Sequence, residues 1–286
     1  MRRLIVIGTK GNELGEVQAE ILNNKFDELN LIGEVEKIPL EIQGTDNYFN
    51  NICGELEKGR IDVAVINMPE LPAILPEGIV IGALSQRSDP ADLILINENV
   101  IDESSILSLK PGARVAVPGE RVKNLLIELI PDIHTVLVEG DVYKRILLMR
   151  SKEIDGSIES AALVNWLGMG LENIIPIRLN PKEFVPLPAQ GVAAYVCREK
   201  DIEIRKILSG IHCKTAAKQT NIERKVLKDI DISMQKSLGV FCETDKGSNY
   251  HTYAVLSENP ASIKRAFVSQ STTYNLPEKI IEQLTK

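Results

Sequence analysis

Few side chains in this sequence could carry covalent, metal or nucleotide chemistry, and their spacing limits what that chemistry could be. The cysteines Cys53, Cys197, Cys213 and Cys242 are scattered with no CxxC pair. Neither a zinc site nor a disulfide framework is expected, and a reducing cytoplasm is the default compartment. His134, His212 and His251 have no metal-like spacing and read as structural or solvated residues. Gly8-Thr9-Lys10-Gly11 follows an apolar run but is neither a Walker A loop nor a GxGxxG fingerprint, so no nucleotide site is expected there.

A net charge of −7 argues against a general nucleic-acid binder, whose phosphate contacts need a basic face. An acidic protein can still hold a local basic cleft for a small anion. No apolar run reaches the roughly 20 residues a membrane helix needs. Met1-Arg2-Arg3 before Leu4-Ile5-Val6-Ile7 superficially suggests a secretory leader, but the apolar stretch is too short and reads as a first β-strand. With 286 residues, 44% of them hydrophobic, the chain can build two or three compact cores.

The elements that must position any site follow from periodicity. Leu14, Val17, Ile21, Leu22, Phe26 and Leu29 recur at helical spacing, with Asn12 placed as N-cap. Phe49, Ile52, Cys53 and Leu56 form a second helical stripe, and Val63 to Ile66 a buried strand. This strand–helix–strand rhythm predicts a largely parallel sheet covered on both faces. A second unit of the same style begins after Pro90, with strands at Leu93 to Ile96, Val115 to Val117 and Val136 to Val138. The proline-rich stretch from Pro181 to Pro188 reads as a hinge back to the first unit. In the last third, Ala216 to Ile230 is predicted helical. Leu238 to Cys242 and Tyr250 to Val255 are predicted antiparallel strands around the Asp245-Lys246-Gly247-Ser248 turn.

Four segments taken in order point further. They are Ile61-Asp62-Val63-Ala64-Val65-Ile66-Asn67-Met68-Pro69-Glu70-Leu71-Pro72, then Ser88-Asp89-Pro90, then Pro186-Leu187-Pro188-Ala189-Gln190-Gly191, then Glu223-Arg224. Together they resemble the porphobilinogen deaminase (hydroxymethylbilane synthase) family, over nearly the whole chain. The resemblance implies an α/β fold of two doubly wound, periplasmic-binding-protein-like domains with a cleft between them, plus a small α+β third domain. The expected boundaries are 1–90 with about 190–210, then 91–183, then 214–286. It also implies a cytoplasmic monomer of tetrapyrrole biosynthesis that condenses porphobilinogen head to tail with loss of ammonia.

In that family a cysteine after the Glu-Arg pair holds a dipyrromethane cofactor through a thioether. Here Met234 stands at that position. A methionine sulfur is already capped by a methyl group and cannot form the bond as a thiol would. Cys242 lies eight residues beyond, in an apparent strand, and reads either as a small buried apolar residue or as a relocated anchor.

The resemblance also assigns roles to charged residues. Glu70 falls at the catalytic aspartate position, its carboxylate one methylene further out; the alternative is a solvated loop acid. Lys10, Arg121 and Arg145 match cations that bind the acetate and propionate groups of a growing polyanion; ordinary surface charges are the alternative. Asn12 matches a serine and can still hydrogen-bond, and Gln190 belongs to the Pro-Leu-Pro-Ala-Gln-Gly block. Other positions depart from the pattern: Pro69, Gly119, Val122, Glu139 and Trp166 replace a lysine, a serine and three arginines, and Asn50-Asn51 replaces a Lys-Glu pair. The chain also looks shorter than the family between Gly44 and Tyr48, where a glycine-rich covering segment is expected. Two readings follow: a divergent hydroxymethylbilane synthase, or a non-catalytic binder of a pyrrole, a linear tetrapyrrole or another small carboxylate. A repurposed transferase is a third. All predict a small anionic ligand and neither nucleic acid nor membrane as partner.

Overall fold

The computed structural model describes residues 4–30, 34–40 and 48–286. Met1-Arg2-Arg3 and residues 44–47 of the shortened segment lie outside the described residues. The chain divides into two compact units, Met1–Ser88 with Gln190–Lys218, and Asp89–Ala189 with Gln219–Lys286.

The chain opens with β1 (Leu4–Lys10), α1 (Glu13–Glu28), β2 (Glu34–Leu40), α2 (Tyr48–Glu57), β3 (Val63–Asn67) and β4 (Ile79–Leu84). It continues with β5 (Asp92–Asn97), β6 (Arg114–Val117), α3 (Glu120–Leu129), β7 (His134–Leu137), α4 (Val142–Arg150), β8 (Gly156–Ser160), α5 (Ala161–Leu167) and β9 (Ile174–Arg178). Then come β10 (Ala193–Arg198), α6 (Ile202–Ser209) and α7 (Lys214–Asp229), and finally β11 (Leu238–Thr244), β12 (Tyr250–Asn259), β13 (Ser262–Gln270) and α8 (Leu276–Thr285).

The first unit is a five-stranded sheet in the order β2-β1-β3-β10-β4. β1 runs parallel to β2 and β3, whereas β10 pairs antiparallel with both β3 and β4. The second unit repeats this plan as β7-β6-β8-β5-β9, with β6 parallel to its neighbours and β5 antiparallel to both of its own. Each sheet is thus parallel except around its fourth strand, the one inserted from the other end of the α/β sequence. Helices α1, α2 and α6 cover the first sheet. Ala19, Leu22 and Phe26 of α1 and Ile204 and Leu208 of α6 pack on Ile5, Val63, Val65 and Tyr195. That two-sided cover is why β3 is a continuous apolar run rather than an alternating one.

The last part of the second unit is an antiparallel sheet, β11-β12-β13, backed by α7 and α8. One face holds Leu238, Val240, Cys242, Ala254, Leu256 and Val268 against Ile222, Val226, Ile280 and Leu284. On the other, Phe241 and Val255 join the core of the second α/β sheet with Val185 and Leu125. Gly239 lies so close to the crossing Pro-Leu-Pro segment that an added Cβ would stand 2.5 Å from the Val185 carbonyl oxygen and 3.1 Å from that of Pro186. Gly239→Ala should therefore destabilise the protein by about 1–3 kcal/mol through overpacking, read as a lower urea midpoint with an unchanged slope.

Candidate functional site

In the first unit, the C-terminal ends of β1 and β3 bring together residues sixty positions apart. Lys10 closes β1, and Glu70 ends a 3-10 turn, Met68–Glu70, that follows β3 and carries Pro69 in its first turn. Lys10 Nζ donates to Glu70 Oε2 at 2.9 Å, both side chains about one-third exposed. The same ammonium lies 5.4 Å from the centroid of the Tyr48 ring, within cation–π range. Asn12 caps α1, its Oδ1 accepting from the Gly15 N–H at 3.0 Å, so its carbonyl end is fixed by the helix.

Lys10, Asn12, Gln18, Tyr48, Asn67 and Glu70 share the lining of a small cavity of about 10 Å3. Three of them, Gln18, Tyr48 and Asn67, were not among the residues expected from the sequence. Gln18 interrupts the buried stripe of α1, between Gly15 and Ala19. Tyr48, rather than Phe49, turns into the core at the start of α2. Gln18 is 2% and Tyr48 8% exposed, yet among the described residues neither the Gln18 Nε2 nor the Tyr48 hydroxyl has a hydrogen-bond partner. Burial, and then the charge of Glu70, hold the Tyr48 hydroxyl well above the usual tyrosine range, so it remains a proton donor. A polar residue inside an apolar helical stripe is the sequence signal that could have drawn attention to Gln18.

The expected cations of the second unit are placed differently. Arg145, on α4, makes a two-pronged pair with Glu159 of β8, at 2.5 Å from Nε and 2.7 Å from Nη2. Its Nη1 donates to the carbonyls of Val138 and Gly140, both at 2.9 Å. Ser157 Oγ donates to the same Glu159 carboxylate. Arg121, in the first turn of α3, donates to the Asp92 carboxylate at 3.2 Å and to the Val185 carbonyl. All four charged side chains are at least 95% buried. Both guanidinium groups are therefore neutralised inside the fold. Gln190 is also buried, and its carbonyl accepts from Arg87 Nε at 3.0 Å in the first unit.

Met234 lies in a 3-10 turn, Ile232–Ser237, whose entry is capped by Asp231 through the Ser233 N–H and hydroxyl. Its side chain is half-buried against the C-terminal core. Cys242 is wholly buried within that core, on the face of β11 turned towards α7 and α8. Its backbone N–H donates to Glu223 Oε1 at 2.7 Å, while Glu223 Oε2 accepts from the Ala189 N–H at 2.6 Å. The surroundings of Cys242 are those of a packing residue, closed to solvent within the sheet core. Glu223 instead works as a bracket between α7, β11 and the end of the Pro-Leu-Pro-Ala segment. Among the described residues there is no cluster of metal-binding side chains and no helix long and apolar enough to cross a membrane.

Comparison with known proteins places these features in context. Residues 5–206 match the family model described as "Porphobilinogen deaminase, dipyromethane cofactor binding domain". The porphobilinogen deaminase of Fusobacterium nucleatum is 29% identical over 273 residues, covering 90% of this chain and 89% of that protein. That of Geobacillus kaustophilus is 28% identical over 280 residues, covering 93% and 89%. Among solved structures, the periplasmic aliphatic sulphonate binding protein SsuA from Escherichia coli is similar at 16% identity, with a TM-score of 0.43 over 71% of this chain and 64% of that one.

Proposed function

Because the chain belongs to the porphobilinogen deaminase family of tetrapyrrole biosynthesis, we propose that it binds porphobilinogen or a closely related small carboxylate without carrying out the family's condensation from a covalent primer. The family uses dipyrromethane, and the residues of this chain do not fit its covalent attachment. The observation that carries the reading is the thioether of Met234 at the anchor position, with Cys242 sealed in the sheet core. The internal pairing of Arg121 and Arg145 supports it, since a growing oligopyrrole gains two carboxylates with every unit and needs fixed cations to hold them.

What survives suits a single small ligand. Lys10 offers a partly exposed ammonium to a carboxylate, and Glu70 offers the complementary anion to a protonated amine or a pyrrole N–H. A ligand bearing both groups could replace the Lys10–Glu70 contact with two contacts of its own. Lys10→Met is expected to weaken porphobilinogen binding by about 10-fold or more, the range for losing a charge-assisted hydrogen bond. Its folding free energy should change by less than about 1 kcal/mol, because the ion pair it breaks is partly solvated. Calorimetric titration and urea unfolding of the same preparation separate the two effects.

The test of the reading as a whole is the intact mass of protein purified from cells that make porphobilinogen, followed by incubation with porphobilinogen. An unmodified mass, measurable binding and no hydroxymethylbilane are expected. A mass increase of two linked pyrroles that disappears on Cys242→Ala would overturn it. The carboxylate retained at Glu70 favours a second reading, a turnover enzyme with a primer held non-covalently. That reading requires hydroxymethylbilane to form with no change in mass.

A further inference from the structure

The cavity behind the Lys10–Glu70 pair is a built site with no assigned occupant. Its deep wall carries two side chains that are more than nine-tenths buried, and the Tyr48 hydroxyl and Gln18 Nε2 both lack a partner among the described residues. Leaving a buried donor unsatisfied is costly, and two such donors belong to residues that line the same cavity. The volume of about 10 Å3 is on the scale of one oxygen-sized group. Lys10, whose side chain is partly exposed, and Asn67 line the same cavity.

We propose that Tyr48 and Gln18 form an oxygen hole that takes one oxygen of a ligand carboxylate, the other oxygen being held by Lys10. A carboxylate oxygen accepts two or three hydrogen bonds and donates none, which matches a lining of hydroxyl, amide N–H and ammonium. Tyr48 has a second task, since its ring lies under the Lys10 ammonium and fixes where that charge points.

The inference rests on the reading of this pocket as the ligand site but not on the ligand being a pyrrole. The test is therefore run on the full chain with two probes, sodium propionate and porphobilinogen. Tyr48→Phe and Gln18→Met should each weaken both probes by about 10-fold or more. The double variant should lose less than the product of the two, because both donors serve one oxygen. Thermal unfolding checks that each variant folds. In the wild type, a Tyr48 ring-carbon resonance that moves on adding propionate is a second readout independent of mutation. If propionate binding depends on Tyr48 but porphobilinogen does not bind, the pyrrole reading fails and the hole stands. If porphobilinogen binds equally well to wild type, Tyr48→Phe and Gln18→Met, the hole is wrong and the cavity holds solvent only. Failure of the wild type to bind either probe, with no movement of the Tyr48 resonance, also overturns it.

Discussion

Replacing Arg145 with methionine should cost about 3–5 kcal/mol of folding free energy, the range for removing one partner of a buried ion pair. The guanidinium is 4% exposed and its partner Glu159 1%. Without the guanidinium, the buried carboxylate keeps only the Ser157 hydroxyl among the partners described above, and the Val138 and Gly140 carbonyls lose their donor. The loss should depend on pH in a defined direction. Burial already pushes the Glu159 carboxyl above its ordinary range, opposed by Arg145 and then by Ser157. Removing Arg145 leaves mainly the raising influence, so the folded variant takes up a proton that the unfolded chain, with a glutamate value of about 4.3, has already released. A carboxyl raised on folding withdraws stability as pH climbs from the unfolded value through the folded one. The deficit relative to wild type should therefore be smaller near about pH 5 than near about pH 8. Urea unfolding at both pH values checks this. A deficit under about 1 kcal/mol and equal at both would mean that Arg145 is not a structural cation.

The same pair shows where the sequence stops being informative. The residue types at Arg121 and Arg145 are legible, and so is their place in helices of the second α/β sheet. Their acids, Asp92 and Glu159, lie on β5 and β8, and only tertiary folding determines that each carboxylate stands against a guanidinium. A cation on a helix reads the same whether it faces a ligand or a buried acid. Lys10 and Glu70 are a related case. Lys10 ends, and Glu70 follows, a strand that is plain from its apolar run, but their contact depends on β1 and β3 being neighbours in the sheet.

The strands divide along similar lines. Val63 to Ile66 is a buried β-branched and apolar run and is recognisable as such. β10 is buried along its whole length, yet Ala193-Ala194 opens it with two residues of weak strand preference. Its antiparallel direction is a property of the crossover and not of local pattern. In β13, Ala266 and Val268 are the buried residues, and charged Lys264, on the same face, breaks the apolar alternation. The helical stripe at Phe49 was legible, but the inward residue is Tyr48, one position earlier, because periodicity fixes a face only to within about a residue.

On the proposed reading, placing a thiol at position 234 should not by itself give the family reaction. Met234 sits half-buried in a turn anchored by Asp231, and Met234→Cys would place a sulfur where small reagents reach it. Iodoacetamide under native conditions should alkylate that cysteine and leave Cys242 untouched until the sheet unfolds. On adding porphobilinogen, the variant is nevertheless expected to form no hydroxymethylbilane. An anchored chain must still be held as its charge grows, and freeing Arg145 from Glu159 would set about 3–5 kcal/mol against each use of that cation. That corresponds to a penalty on the order of 100- to 1,000-fold or more in affinity for the elongating product. A combined variant, Met234→Cys with Glu159→Gln, removes the anchor defect and weakens the competing acid. If that double variant accumulates mass in pyrrole increments while Met234→Cys alone does not, internal pairing of the cations is the second barrier. Production of hydroxymethylbilane by Met234→Cys alone would show that the missing thiol was the only one.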